Sequence, residues 1–330
     1  MDAMRVAVVG TGMMGRLFAR LLTELPNAHL CGVANRTLGK ADEVGERYGV
    51  PSFSNAGDLL DQVDVDAVII ATDDDQHVEP VRAAARAGKP ILLEKPLAAS
   101  VDEGREILGI VAGADVPLMV AQCVRFDPRY AAARAAIRNG DLGQLVCITA
   151  RRDAPLRAGR RIAGRCSLSV FLAVHDVDFM LWATGRRITQ VYASGHQRLL
   201  GEFGVQDSII SLLKFDDGTI ASLETSWVAP SLTFSFEAMG TEGAVQITSP
   251  EIGAVQFGAE GTRFANPLYS FEPLPCGQTL NVYQVELMHF LECIEKGQPF
   301  IVQPEEALMA VSVAEAIDRS VASGQAETPE

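Results

Sequence analysis

Along the first third of the chain, apolar residues fall in short runs separated by stretches with helical spacing. Met4–Val9 is the first run, and Leu17, Phe18, Leu21 and Leu22 follow it at the intervals of an amphipathic helix that reaches about Leu25. Leu30–Ala34, Ala67–Ala71, Pro90–Leu93 and Leu118–Gln122 are further runs, with helical patterns at Val78–Ala87 and Val101–Ala112 between the later ones. Strands that are apolar on both faces need both faces covered, so this alternation predicts a parallel, doubly wound sheet flanked by helices.

After residue 122 the rhythm changes. A helix near Arg129–Asn139, a strand at Leu145–Arg152 and a helix around His175–Thr184 lead into a series of strand-like segments. These are Ile188–Ser194, Ser208–Phe215, Thr219–Trp227, Phe234–Met239, Ala244–Thr248 and Ala254–Phe257. Asp216-Asp217-Gly218 is a hairpin turn signal between two of them. Consecutive hairpins predict a largely antiparallel open sheet with one face to cover. Helices at about Asn281–Lys296 and Pro304–Ala322 close the chain. A chain of 330 residues is long for a single core. The expected class is therefore α/β, with a doubly wound domain over residues 1–121 and an α+β domain over 122–330. The C-terminal helices are free to pack back on the first domain.

The first helix opens on a motif with a mechanism. Gly10-Thr11-Gly12-Met13-Met14-Gly15 stands between an apolar strand and an amphipathic helix, the context in which G-x-G-x-x-G binds a dinucleotide. Gly10 permits the tight turn, Gly12 the approach of a pyrophosphate, and Gly15 the close packing of helix on strand. The helix N-terminus adds free N–H groups and partial positive charge. This defines a Rossmann domain with these six residues as cofactor contacts. The second strand ends on Asn35-Arg36-Thr37, where an NAD site usually places a carboxylate for the adenosine ribose. No carboxylate is there to repel a 2′-phosphate, and the planar fork of Arg36 suits one, so NADP is the preferred cofactor and NAD the alternative.

At Glu94-Lys95-Pro96, just after Pro90–Leu93, the chain resembles the glucose–fructose oxidoreductase/inositol dehydrogenase (Gfo/Idh/MocA) family. The resemblance covers essentially the whole chain. It takes in the glycine motif, Ala71-Thr72 followed by His77, Arg125-Phe126-Asp127-Pro128, and His175-Asp176-Val177-Asp178 ahead of a helix containing Trp182. It implies hydride transfer at a secondary alcohol or hemiacetal carbon of a sugar, sugar derivative or cyclitol, and assembly as a homodimer or homotetramer. It also implies that Ala71, Thr72, His77, Glu94, Lys95 and Arg125 contact the cofactor, and that Lys95 and His175 are catalytic. The chemistry agrees: alcohol oxidation needs a base, and His175 is suited to that. Lys95, at the carboxyl end of a parallel strand, can stabilise a developing alkoxide. Arg125 lies by resemblance near the nicotinamide or the substrate entrance, with an interdomain salt bridge as its other reading. The family commonly carries an Asp four residues before the histidine, where this chain has Phe171. Asp176 and Asp178 are candidate substitutes on the other side of His175, with a structural helix contact the stronger reading of Asp178.

Composition narrows the rest. The net charge of −14 and pI near 4.9 exclude nucleic acid as a natural partner. No apolar run approaches the ~20 residues of a membrane span, and the N-terminus lacks the layout of a signal peptide. The six cysteines are scattered without a C-x-x-C pair, so neither a disulfide framework nor a metal site is expected, and the expected compartment is the reducing cytoplasm. Against the acidic whole, Arg151, Arg152, Arg157, Arg160, Arg161 and Arg165 form a basic segment before His175. Arg157 and Arg160, with Lys95, Arg125, Asp176 and His175, are the candidate substrate contacts, for a substrate that is possibly an anionic carbohydrate. Two other readings share the fold: a non-catalytic NAD(P)-binding sensor, and a reductase of an imine or unsaturated substrate, which would not need the missing Asp.

Overall fold

The computed structural model describes residues 3–162, 164–248, 255–259, 272–273 and 281–330. The expected strand start at Ala254 lies outside these residues, as does Cys276. The chain divides into two compact units, one of residues 1–123 and 280–308, the other of 124–279 and 309–330.

The first unit alternates strands and helices: β1 (Met4–Val9), α1 (Met13–Glu24), β2 (Ala28–Ala34), α2 (Leu38–Tyr48), β3 (Ser52–Phe53), α3 (Ala56–Gln62), β4 (Ala67–Ile70), α4 (Val78–Arg86), β5 (Ile91–Glu94), α5 (Val101–Ala114) and β6 (Leu118–Ala121). The strands form one parallel sheet in the order β3-β2-β1-β4-β5-β6. The chain starts in the middle, and β1 has β2 on one side and β4 on the other. The carboxyl ends of these strands therefore frame the crevice in which such sheets bind ligands. Val6, Ala7, Val8 and all of β4 are sealed from solvent, which is why the sequence shows them as unbroken apolar runs. Three elements escaped the apolar pattern: α2, β3 and α3. In α2 the buried residues are Ala41, Val44 and Gly45, too small to mark a stripe among its charges.

In the second unit, α6 (Pro128–Asn139) starts on the side-chain cap of Asp127 and stops at Gly140. The order continues with β7 (Leu145–Asp153), α7 (Leu156–Ile162), α8 (Val174–Thr184), β8 (Ile188–His196), β9 (Ser208–Phe215), β10 (Ile220–Ser226), β11 (Thr233–Gly240), β12 (Gly243–Thr248), β13 (Val255–Ala259) and β14 (Glu272–Pro273). Two helices follow, α9 (Val282–Lys296) and α10 (Pro304–Ser323); α9 belongs to the first unit. The sheet runs β14-β13-β12-β11-β7-β10-β9-β8. It is mixed, because β7 and β10 pair in parallel while the remaining neighbours are antiparallel. The hairpin signal at Asp216-Asp217-Gly218 joins β9 to β10 as expected. The parallel pair was not legible, since β10 inserts beside a strand more than sixty residues upstream, pairing Ile220 with Cys147.

One face of this sheet is covered. Phe236 of β11 meets Phe179 of α8 edge-on at 4.8 Å, and Phe179 meets Tyr130 of α6 at 4.7 Å, so an aromatic cluster ties both helices to the strands. On the opposite face Tyr192, Ile210, Leu212 and Ile220 are exposed. A π-helical turn, Ser169–Ala173, runs directly into α8.

Candidate active site

The glycine loop of the first unit divides its labour as the sequence suggests. Gly10 has φ +94°, and a Cβ there would fall 2.3 Å from the carbonyl oxygen of Ala71. A Cβ on Gly15 would fall 1.7 Å from the carbonyl oxygen of Gly10. These two glycines let β1, β4 and α1 pack. Gly12 differs: a Cβ there meets nothing within 4 Å. No neighbour among the described residues requires Gly12 to be bare, which fits a backbone kept open for a ligand. Gly12 caps α1 with no side-chain bond to the first turn, leaving its N–H groups for an anion.

A cleft of about 560 Å³ opens beside this loop. It is lined by Gly10, Gly12, Asn35, Arg36, Thr37, Ala71 and Thr72, and by Lys40 of α2, which the sequence reading missed along with its helix. Asn35 accepts a hydrogen bond from the Thr11 amide at 3.2 Å and donates one to the Thr37 carbonyl at 3.1 Å, bracing the loop. Thr11 is buried, its hydroxyl donating to the Lys40 carbonyl at 3.0 Å. Met13 is largely exposed and Met14 half-buried. Arg36 is exposed on the rim, its guanidinium reaching the Gln76 side chain at 3.4 Å. Thr72 donates to the Gln76 carbonyl at 3.0 Å.

His77 does not line this cleft. It is buried, with Nδ1 donating to the Leu97 carbonyl at 3.2 Å, and burial holds its pKa below the usual histidine range. The expected cofactor contact is thus a neutral clamp between the start of α4 and the segment following β5. Glu94 is also buried. Its Oε2 accepts from the Lys95 backbone amide at 3.2 Å, and burial, opposed by Lys95 and aided by Asp74, pushes its carboxyl up to about 7. The carboxyl is turned inward. Lys95, after a strand end and before a cis peptide bond to Pro96, is half-buried.

In the second unit His175 is the second residue of α8 and half-buried. Phe171, one turn earlier on the π-helical turn, lies 5.6 Å from the Trp227 ring, so this position makes an aromatic contact where an Asp would have oriented the imidazole. Asp176 does not replace it. It is sealed from solvent and bound by Arg152, Nε to Oδ2 at 2.6 Å and Nη2 to Oδ1 at 3.1 Å, which also removes it from the substrate contacts. Arg125 is likewise committed: it bonds Asp178 at 2.9 and 2.6 Å, with 1% and 0% of the two side chains exposed. That ion pair lies inside the second unit. Removing one partner strands a buried charge, so Asp178→Ala is expected to cost about 3 kcal/mol of stability, read by denaturant unfolding. A loss under about 1 kcal/mol would show the pair to be dispensable.

The basic segment divides. Arg151 pairs with Asp153 and Arg152 with Asp176, so both are structural. Arg157, Arg160 and Arg161 are exposed on α7, while Arg165 is half-buried. Helix α7 is held by its opposite side, where a Cβ on Gly159 would fall 2.7 Å from the Trp227 side chain.

Residues 4–122 match the family model of the Gfo/Idh/MocA oxidoreductases, described by its NAD-binding Rossmann fold, and residues 130–246 match the model of the Gfo/Idh/MocA C-terminal domain. The chain belongs to this family. It is an NAD(P)-dependent oxidoreductase of the Gfo/Idh/MocA type. It is 31% identical over 332 residues to the scyllo-inositol 2-dehydrogenase (NAD(+)) of Bacillus subtilis, spanning 97% of this chain and 94% of that one. It is 28% identical over 331 residues to an inositol 2-dehydrogenase of Rhizobium meliloti, spanning 96% and 97%. The crystal structure of myo-inositol 2-dehydrogenase from Lactobacillus plantarum has the same fold, with a TM-score of 0.86, 22% identity and full coverage of both chains.

Among the described residues, no group of three or more His, Cys, Asp or Glu is arranged to hold a metal ion. No helix among them is long and apolar enough to cross a membrane, and the described cysteines are free thiols.

Proposed function

We propose that this oxidoreductase interconverts a secondary hydroxyl of a cyclitol or sugar and the corresponding ketone, with NADP as the preferred nicotinamide. The observation that carries this is the joint presence of an open Gly12 cradle and of Lys95 at the exit of β5, in a chain similar to inositol dehydrogenases over nearly its whole length. When bound, the nicotinamide supplies the hydride acceptor. Gly12 and the first amides of α1 would hold its pyrophosphate. Lys95 would hold the substrate oxygen and stabilise the charge that develops there. His175 would take the hydroxyl proton, unassisted by the usual Asp.

The NADP preference rests on the cleft wall. Asn35, Arg36, Thr37 and Lys40 line it near the end of β2, two of them cationic, while its carboxylates, Asp73, Asp75 and Glu79, come from the segment after β4 and the start of α4. Arg36→Asp is expected to weaken NADPH binding by about 2 kcal/mol, roughly thirtyfold, and NADH binding far less. Fluorescence titration with both nucleotides decides this, and equal losses would return the assignment to NAD. Arg157 and Arg160, exposed on α7, are the candidate contacts for an anionic group on the substrate.

The test of the function is a panel of cyclitols, aldoses, sugar acids and sugar phosphates with each oxidised nucleotide, followed by nicotinamide absorbance. Turnover of a cyclitol or sugar supports the reading. Failure of every alcohol, with reduced nucleotide consumed by an imine or unsaturated compound, would favour the reductase reading that Phe171 suggests. Cofactor binding without any turnover would favour the sensor. We also infer a homo-oligomer built on the sheet face carrying Tyr192, Ile210, Leu212 and Ile220, an apolar patch that sedimentation would reveal as a dimer or tetramer.

A further inference from the structure

The basic segment leaves Arg165 without a role. Arg165 lines a cavity of about 490 Å³ in the second unit, together with Cys166, Ser167, Gln197, Gln206 and Asp318. These residues come from three places: the loop between α7 and the π-helical turn, the connection from β8 to β9, and the last turns of α10. None of them lines the cofactor cleft. Cavities that hold small ligands run from about 300 to 1,000 Å³, so this one is large enough.

The walls are fixed by their own contacts. Ser167 accepts the Val170 amide at 3.0 Å and donates its hydroxyl to Asp318. Gln197 donates its Nε2 to the Gly204 carbonyl at 3.1 Å. The Gln206 carboxamide lies against β8, where a Cβ on Gly195 would fall 2.9 Å from its Oε1. That oxygen is sealed from water and has no hydrogen-bond partner among the described residues. Buried acceptors are nearly always paired, so this one is suited to an incoming N–H.

Side chains of opposite charge share the cavity. Burial pulls the half-buried Arg165 guanidinium below its ordinary value. Burial also pushes the Asp318 carboxyl up to about 6, with Glu315 adding to the rise and the Ser167 hydroxyl and Arg319 opposing it. At both residues burial works against the charged form, so a ligand that brings each an opposite charge is favoured. A lone anion would suit Arg165 and be repelled by Asp318, and a lone cation the reverse.

We propose that this cavity binds a small zwitterion of the amino-acid or short-peptide class, its carboxylate on Arg165, its ammonium on Asp318 and an amide on Gln206 and Gln197. The planar fork of a guanidinium matches a carboxylate bidentately. The loop that carries Arg165 runs on through the π-helical turn into α8, so the ligand is held on the segment leading to Phe171 and His175. The site stands whether or not the proposed reaction does.

The test uses the whole protein, with the half-buried thiol of Cys166 as reporter. Its alkylation by iodoacetamide is timed by mass spectrometry of its peptide, with L-glutamine or glycylglycine at millimolar concentration. At least one probe is expected to slow the labelling of Cys166 several-fold and leave that of Cys147, on β7, unchanged. Stronger protection by glutamine identifies an amino-acid site, and by glycylglycine a peptide site. N-acetyl-L-glutamine and L-glutaminamide each lack one charge and should bind about tenfold more weakly than glutamine. Arg165→Gln should erase the difference between glutamine and its amide, and Asp318→Asn that between glutamine and its N-acetyl derivative. Calorimetric titration should give the same ranking without the thiol. Absence of binding by both zwitterions, or equal binding of either singly charged analogue, would overturn the proposal. If a variant does not fold, the comparison of ligands on the wild-type protein still decides it.

Discussion

Lys95→Ala is expected to lower kcat about 10³-fold, roughly 4 kcal/mol, while NADPH affinity stays within a few-fold of wild type. As a secondary alcohol gives up hydride, negative charge gathers on its oxygen, and a fixed ammonium stabilises that charge more than it stabilises the ground state. Lys95 is suited to this by its place at the carboxyl end of β5, one residue past the buried Glu94 that accepts its backbone amide. Lys95→Arg is not expected to restore the activity, because a planar guanidinium places its donors differently from a compact ammonium. His175→Ala should cost less, about 10²-fold, the lower end for a general base, since no Asp assists it. Single-turnover absorbance at saturating nucleotide separates these effects from binding. A Lys95→Ala protein with near wild-type turnover would remove Lys95 from the chemistry and with it the proposed mechanism.

Gly15→Ala and Gly12→Ala are expected to fail in opposite ways. A methyl on Gly15 would overlap the Gly10 carbonyl, its Cβ 1.7 Å from that oxygen, and backbone on both sides must move to admit it. The expected loss is on the order of 5 kcal/mol, enough to unfold a marginal domain, and it should be visible as a large drop in Tm without any ligand. At Gly12 the same methyl enters open space. The protein alone should melt as wild type does, within about 0.5 kcal/mol. Nucleotide affinity should fall at least tenfold, since the methyl occupies the approach of the pyrophosphate. Thermal melts with and without NADPH read both effects. Equal Tm losses in the two variants would mean that Gly12 is structural and the cradle is misassigned.

What was legible in the sequence was local. The glycine loop works through contacts within a strand, a turn and a helix, so spacing alone assigned Gly10, Gly12 and Gly15 their separate tasks. The parallel sheet was visible because strands buried on both faces are written as unbroken apolar runs. Helices with small buried residues, such as α2, left no such mark, and Lys40 went unnoticed with it.

The side chains whose surroundings the sequence left open are those with a distant partner. His77 meets the Leu97 carbonyl 20 residues away, Asp176 meets Arg152 24 residues away, and Arg125 meets Asp178 53 residues away. A charge or an imidazole near a site motif reads as a ligand contact until its partner is known. Burial then forces it to be paired, because an unpaired charge in the interior is too costly to keep. The sequence by itself determined the fold, the cofactor class and the catalytic candidates, because those follow from periodicity and from the chemistry of short motifs. Tertiary structure decided which polar groups remain available for chemistry, because that depends on which of them folding removes from water.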